Sequence, residues 1–245
     1  MLNKKIEVKN VSKKIGKRTI LSHVSFDVYE GDICGFIGPN GAGKTTMIRV
    51  MTNLISPTEG EININGVNVV KERKTALLKL GAIVEEPIFF PYMSGRENLR
   101  NLAMLNPGMS KAEQREKVEE VLKIVDLQPR ADDKVKIYSL GMKQRLGIAQ
   151  ALLNNPEIII LDEPANGLDP MGMRDLRELI FKLQKEKKIT FLISSHLLDE
   201  LQQLCNRFVV VNEGKLIWQG SKTEFECIGE SGRLEEAFIK LVSGC

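Results

Sequence analysis

Eight residues, Gly38-Pro39-Asn40-Gly41-Ala42-Gly43-Lys44-Thr45, follow directly on the apolar run Ile33-Cys34-Gly35-Phe36-Ile37 and open a stretch with helical spacing. The pattern GxxxxGK[ST] between a strand and a helix is the phosphate-binding loop, and it commits the chain to an α/β fold built around a nucleotide. The same composition seen alone could be a plain turn; the strand before it and the helix after it point to phosphate. Glycines let backbone N–H groups turn toward phosphates, and the helix N-terminus adds a favourable dipole. Lys44 neutralises phosphate charge and the Thr45 hydroxyl can ligate Mg²⁺. Asn40, Gly41, Gly43, Lys44, Thr45 and Thr46 are the candidate ATP-binding residues.

The 245 residues suffice for one large α/β domain or a core with a subdomain. With 42% hydrophobic and 27% charged residues the composition is that of a folded globular chain. Thirty-five Lys and Arg against 32 Asp and Glu leave a net charge of +3, which gives no basic face for nucleic acid. Cys34, Cys205, Cys227 and Cys245 are scattered and form no CxxC pair, against both a zinc site and a disulfide framework. The N-terminal Met1 to Lys9 alternates charged and apolar residues, unlike a secretory signal. No window approaches the ~20 apolar residues of a membrane span. Any membrane component is expected to come from another chain.

Along the chain, β character is expected at residues 6–11, 24–28 and 33–37, a helix at 44–54 and a strand at 61–64, giving β-loop-α-β order. Between 86 and 155 strand-like runs disappear, and residues 111–125 and 142–153 have helical spacing, which reads as a helical insert. Strands return at 158–161 and 190–194 with a helix to about 187 between them. Strands at 207–211 and 215–218 flank the turn Asn212-Glu213-Gly214, and 234–242 is a short amphipathic helix.

Ile158-Ile159-Ile160-Leu161-Asp162-Glu163 is a buried-strand run ending in two carboxylates, where α/β sheets place reacting groups. Asp162 is positioned to hold Mg²⁺, directly or through water, and Glu163 to polarise a water attacking the γ-phosphate.

The phosphate loop, Asp162-Glu163-Pro164, Gly167-Leu168-Asp169-Pro170 and Ser194-Ser195-His196, in this order and spacing, resemble the ABC ATPase cassette over nearly the whole chain. The resemblance implies a phosphate-loop α/β fold with a mixed β core, an antiparallel β subdomain and an inserted α-helical subdomain. The nucleotide-binding core would comprise 1–85 and 156–225, the helical subdomain 86–155, and a C-terminal tail 226–245, all within one domain. It implies that His196 contacts the γ-phosphate and that ATP, with Mg²⁺ held by Thr45 and Asp162, brings two copies into a head-to-tail homodimer. In that dimer Ser139 and Gly141, from Tyr138-Ser139-Leu140-Gly141-Met142, would act on the nucleotide of the opposite subunit, with Asp169 at the interface. It implies a membrane permease as partner, hence the cytoplasmic face of the cell membrane, and ATP hydrolysis coupled to transport. His23 lacks any comparable setting and reads as a surface or edge residue.

Three departures distinguish the chain. The signature segment keeps Ser139 and Gly141 of the family's LSGGQ but differs at Tyr138, Leu140 and Met142. Glu85 stands where the family usually has glutamine, adding a carboxylate as catalytic and metal-side candidate. At about 6 Å and an effective dielectric near 20, its repulsion of the γ-phosphate would cost about 3 kcal/mol unless offset. Glutamate here with the Ser-Leu-Gly-Met segment looks like the transporters that protect bacteria from lantibiotics and bacitracin. A soluble non-transport ABC ATPase, or an exporter subunit for another drug or lipid, is the alternative. The aromatic run Ile88-Phe89-Phe90-Pro91-Tyr92-Met93 fits either core packing or a groove for a helix of the membrane partner.

The third departure is Ile15, where ABC cassettes commonly place an aromatic residue that stacks on adenine. Stacking on an aromatic is worth about 1–3 kcal/mol per base, and about 1.4 kcal/mol is ten-fold in affinity. Ile15→Tyr is expected to lower the ATP dissociation constant several-fold or more by titration, and an unchanged constant would remove Ile15 from the adenine site.

Overall fold

The computed structural model describes residues 3–106, 108–229 and 233–243; Met1, Leu2 and Cys245 of the sequence reading lie outside them. Two long strands, β1 (Lys4–Ile15) and β2 (Arg18–Tyr29), pair antiparallel, followed by β3 (Ile33–Ile37) and α1 (Lys44–Met51). Next come β4 (Glu59–Ile64), β5 (Val67–Asn68), α2 (Arg73–Leu77) and β6 (Leu80–Ile83). The helices α3 (Gly95–Ala103), α4 (Lys111–Ile124) and α5 (Leu140–Leu152) occupy the middle of the chain. The chain continues with β7 (Ile158–Asp162), α6 (Pro170–Lys187), β8 (Thr190–Ser195), α7 (Leu198–Leu204), β9 (Arg207–Asn212) and β10 (Lys215–Ser221), and then α8 (Lys222–Glu226) and α9 (Leu234–Ser243).

The strands form two sheets, one ordered β2-β1-β4-β5 and one ordered β10-β9-β3-β8-β7-β6. In the larger sheet β9, β3, β8, β7 and β6 run parallel, and β10 pairs antiparallel to β9. Parallel strands are covered on both faces, which is why β7 is apolar without a break. Its alternate residues feed two cores. Ile159 and Leu161 pack with Phe191, Ile193 and the helices α4 to α6, while Ile158 and Ile160 pack with Cys34, Phe36, α1 and the antiparallel sheet.

The strand after α1 does not return to the parallel sheet as the β-loop-α-β order suggests. It pairs with β1 in the other sheet, Val8 opposite Ile62. The neighbour that β7 needs is instead β6, a four-residue edge strand too short to register as a run in the sequence. Its Gly81 is required by a close approach, since a Cβ there would stand 2.7 Å from the Ala151 carbonyl oxygen of α5. Helix α3 is likewise invisible to periodicity but well specified locally, by a capping box of Ser94 and Glu97.

The turn between β9 and β10 places Glu213 and Gly214 at φ of 47° and 74°, the left-handed pair of a two-residue hairpin. Its tip is wedged between the sheets. Gly214 N donates to the Ala42 carbonyl oxygen at 3.1 Å, and Ser22 N donates to the Gly214 carbonyl oxygen at 2.8 Å. The described cysteines Cys34, Cys205 and Cys227 are all free, and burial pushes the Cys34 and Cys205 thiols up, keeping them protonated. His23 is exposed on β2.

Candidate functional site

The carboxyl ends of β3, β8 and β7 lie side by side, with Ile37 opposite Ser195 and Asp162 opposite Ser194. Loops leaving these ends therefore meet at one place, the edge where α/β sheets bind ligands. From β3 the loop turns through Gly38, whose Cβ-free backbone sits against the Val211 carbonyl oxygen; an added Cβ would be 2.3 Å away. It ends at Gly43, φ 98°, which starts α1 with no side-chain cap. The first-turn N–H groups of α1 have no side-chain acceptor and point at whatever fills the loop.

Asn40, Gly41, Gly43, Lys44, Thr45 and Thr46 line one cavity of about 470 Å³ together with Ile20, Glu163, Asn166 and His196. Lys44 is buried and donates to the Gly38 carbonyl oxygen at 2.8 Å. Its Nζ is also 3.3 Å from Glu163 Oε1, and Glu163 Oε2 is 2.9 Å from His196 Nδ1. The three groups thus close a chain across the cavity. Glu163 has a left-handed backbone, φ 49°, uncommon for a residue with a side chain and of the kind found where geometry serves a site.

Asp162 is 3% exposed and accepts from the Ser194 hydroxyl at 2.5 Å. The same hydroxyl oxygen accepts from the Glu163 backbone N–H at 2.9 Å, so one serine on the neighbouring strand fixes both acids. A second cavity of about 230 Å³ is lined by Thr45, Glu85, Glu86, Gln144, Asp162, Glu163 and Asn166. Among the described residues no group of three His, Cys, Asp or Glu side chains converges as a metal cage. A hydroxyl and one or two carboxylates beside a phosphate site nevertheless suit Mg²⁺, which keeps waters and shares its ligands with phosphate.

Glu85 lines that second cavity, but its carboxylate is paired with the Arg49 guanidinium of α1 and is largely exposed. The charge that the sequence places near the γ-phosphate is offset by a cation that sequence spacing could not connect to it. Ile15 lies exposed at the end of β1 and outside the phosphate cavity; the apolar side chain that does line it is Ile20. Ser139 caps α5, its hydroxyl oxygen accepting from Met142 N at 3.2 Å, and Asp169 caps α6, accepting from Gly172 N at 2.7 Å. Ser139, Gly141 and Asp169 line a third cavity of about 500 Å³, separate from the phosphate cavity of the same chain. The departure at Tyr138 has a packing reason: the ring is buried against Gly95 and its hydroxyl donates to the Arg130 carbonyl oxygen at 2.7 Å.

Sequence reasoning missed Arg49, Gln144, Asn166 and the role of Ser194. Only the last left a trace, as a polar residue closing an apolar strand, and its meaning depends on strand order. Ser194→Ala is expected to lower kcat for ATP hydrolysis about 10- to 100-fold, the worth of a hydrogen bond to a charged group, with ATP affinity nearly kept. Steady-state kinetics beside nucleotide titration checks this, and an unchanged kcat would leave the serine a packing role only.

The sequence model of the ABC transporter family matches residues 21–166. The bacitracin transport ATP-binding protein BcrA of Bacillus licheniformis is 46% identical, over 86% of this chain and 68% of its own. The lantibiotic transport ATP-binding protein SrtF of Streptococcus pyogenes is 40% identical, over 86% of this chain and 89% of its own. Among solved structures, a dimeric post-hydrolysis state of the ATP-binding cassette MJ0796 with ADP and Pi superposes with a TM-score of 0.77. It is 29% identical and covers 88% of this chain and 98% of that one.

Proposed function

Because the chain belongs to the ABC transporter family, we propose that it is the ATP-binding and ATP-hydrolysing subunit that powers export, or removal from the membrane, of a lantibiotic or related peptide antibiotic. The observation that carries the chemistry is the meeting of Lys44, Glu163 and His196 in the phosphate-loop cavity. The relatives that support the substrate class are the bacitracin and lantibiotic transport proteins.

In this reading the loop N–H groups and Lys44 hold the β- and γ-phosphates. A phosphate that reaches Lys44 displaces Glu163 from it, and the freed carboxylate oxygen takes a proton from the water as its oxygen bonds to the γ-phosphorus and the β–γ bridging oxygen leaves with ADP, while His196 contacts the γ-phosphate. Mg²⁺, where Thr45 and Asp162 would hold it, supplies charge stabilisation to the phosphates. Residues 1–85 and 156–225 serve as the nucleotide-binding core, 86–155 as the helical subdomain and 226–245 as a tail. Ser139 and Gly141 complete the opposite subunit's site, with Asp169 at the dimer interface. Their place in a cavity apart from their own phosphate loop suits action in trans.

The membrane permease is a second partner, and among the described residues no helix is long and apolar enough to cross a membrane. Ile88, Phe90 and Tyr92 are 92%, 52% and 66% exposed beside Glu85, a surface suited to a helix of the permease, while Phe89 packs on the core. Replacing Phe90 and Tyr92 with alanine is expected to reduce copurification with the permease and to leave ATP hydrolysis by the isolated subunit intact. Loss of both together would assign the rings to packing.

Glu163→Gln keeps the shape of the catalytic side chain and removes its basicity. It is expected to bind ATP and run as a dimer on gel filtration while the unsubstituted protein with ADP runs as a monomer. A variant that stays monomeric with ATP would overturn the sandwich mechanism.

A further inference from the structure

Gln144 is 4% exposed, and its Oε1 is buried without a hydrogen-bond partner. Buried amide oxygens are almost always satisfied, and an orphaned one marks either a cost or a missing donor. Its position says which. On α5, residues 144, 147 and 151 share one face. Gly147 of that face lies so near the segment after β6 that a Cβ would stand 3.0 Å from Ile83 Cδ1 and from Pro87 Cβ, and the Ala151 carbonyl oxygen is the one that excludes a Cβ at Gly81. This face therefore rests on β6 and on the chain that carries Glu85 and Glu86. Gln144, one turn nearer the N-terminus, projects into the cavity between Thr45, Glu85, Glu86, Asp162, Glu163 and Asn166.

Four of the groups around it are carboxylates, which when ionised accept and cannot donate. Thr45 and Asn166 of the same lining carry donors, but neither bonds to Oε1. The donor it lacks is one a ligand would bring, and a cavity with four acids favours a hydrated cation, whose waters donate in several directions. Gln144 also lines the separate cavity of Ser139, Gly141 and Asp169. It is five residues from Ser139, about 7.5 Å or one and a half turns along the helix. The next residue, Arg145, pairs with Asp175 and ties that turn to α6.

We infer that Gln144 is a positioning residue that couples a subunit's own nucleotide cavity to the Ser139 turn it offers to a second copy. This rests on the reading of the chain as a dimerising ATPase. When nucleotide and metal fill the cavity, a water there donates to Oε1, Gln144 is drawn to it, and α5 is fixed with Ser139 and Gly141 in the orientation the other subunit's phosphate requires. Without that donor one interaction that favours the orientation is missing, while α5 stays packed on β6 and tied to α6. Each subunit thus presents its signature turn more readily when its own site is loaded.

The test uses the Glu163→Gln protein as parent and reads dimerisation by sedimentation velocity with ATP and Mg²⁺, and nucleotide-free melting separately. Gln144→Leu and Gln144→Met remove the acceptor but keep bulk. Both are expected to melt at or above the parent temperature, because the orphaned acceptor is gone, yet to need about ten-fold more protein to dimerise, the worth of two modest hydrogen bonds, one from each subunit. Gln144→Glu keeps an acceptor and is expected to recover dimerisation to within about three-fold of the parent, and only when Mg²⁺ is present. Leucine and methionine variants that dimerise like the parent would overturn the coupling. So would variants that lose dimer and several degrees of melting temperature together, which is a packing role. A Glu163→Gln parent that itself never dimerises would instead remove the dimer mechanism and this coupling with it.

Discussion

The constraint on which the rest of the structure depends is the uncapped start of α1. Helices α3, α4, α5 and α6 begin with a side-chain oxygen on the first turn, from Ser94, Ser110, Ser139 and Asp169. Helix α1 begins at Gly43 with none. Unsatisfied donors at a helix start are a cost that a protein accepts where a ligand will take them. Everything near the loop holds that start in place. Strand β3 is buried along its whole length, Gly38 abuts Val211, and the β9-β10 hairpin tip bonds to Ala42. Lys44, which a bound phosphate would engage, is meanwhile occupied by Gly38 and Glu163.

The fold sets two charge relations in the site that the linear sequence does not show. A carboxylate at position 85 reads in sequence as repulsion toward the nucleotide. In the structure Arg49, on the helix that carries Lys44, lies against it, so the unusual acid comes with its own counter-charge. The two acids at the end of β7 read as independent roles, yet a single hydroxyl, Ser194, bonds to both residues. Their geometry is set from the neighbouring strand.

What was legible in the sequence was what is local. The phosphate loop, the apolar strand ending in Asp162 and Glu163, the hairpin at Asn212 to Gly214 and the serine that starts α5 all announce themselves within a few residues. Strand β3 is an unbroken apolar run in the sequence and fully buried in the sheet. What was not legible depends on who neighbours whom. Strand β6 is four residues long and is recognisable only as the partner of β7. Arg49 and Glu85 are 36 residues apart, and Gln144 looks like any polar residue on a helix until β6 is placed under its face. Ile15 reads in sequence as the residue beneath adenine; the pairing of β1 with β2 leaves it exposed at the strand end, while Ile20, which the sequence did not single out, lines the phosphate cavity.

The phosphate loop is held at Gly38 by the close approach of the Val211 carbonyl oxygen, at Ala42 by a main-chain hydrogen bond from Gly214, and at Gly43 by the buried Leu21 side chain and the Ile20 carbonyl oxygen, while buried Lys44 bonds to the Gly38 carbonyl oxygen. Its shape consequently rests on buried contacts, and a side chain added at Gly38 or Gly43 would collide with them. How firmly a nucleotide is gripped, or how readily it is released, is left to be tuned around the rim. There Ile20 lines the phosphate cavity and Glu85 the one beside it, and they can change without disturbing the backbone that meets the phosphates, Glu85 together with its partner Arg49.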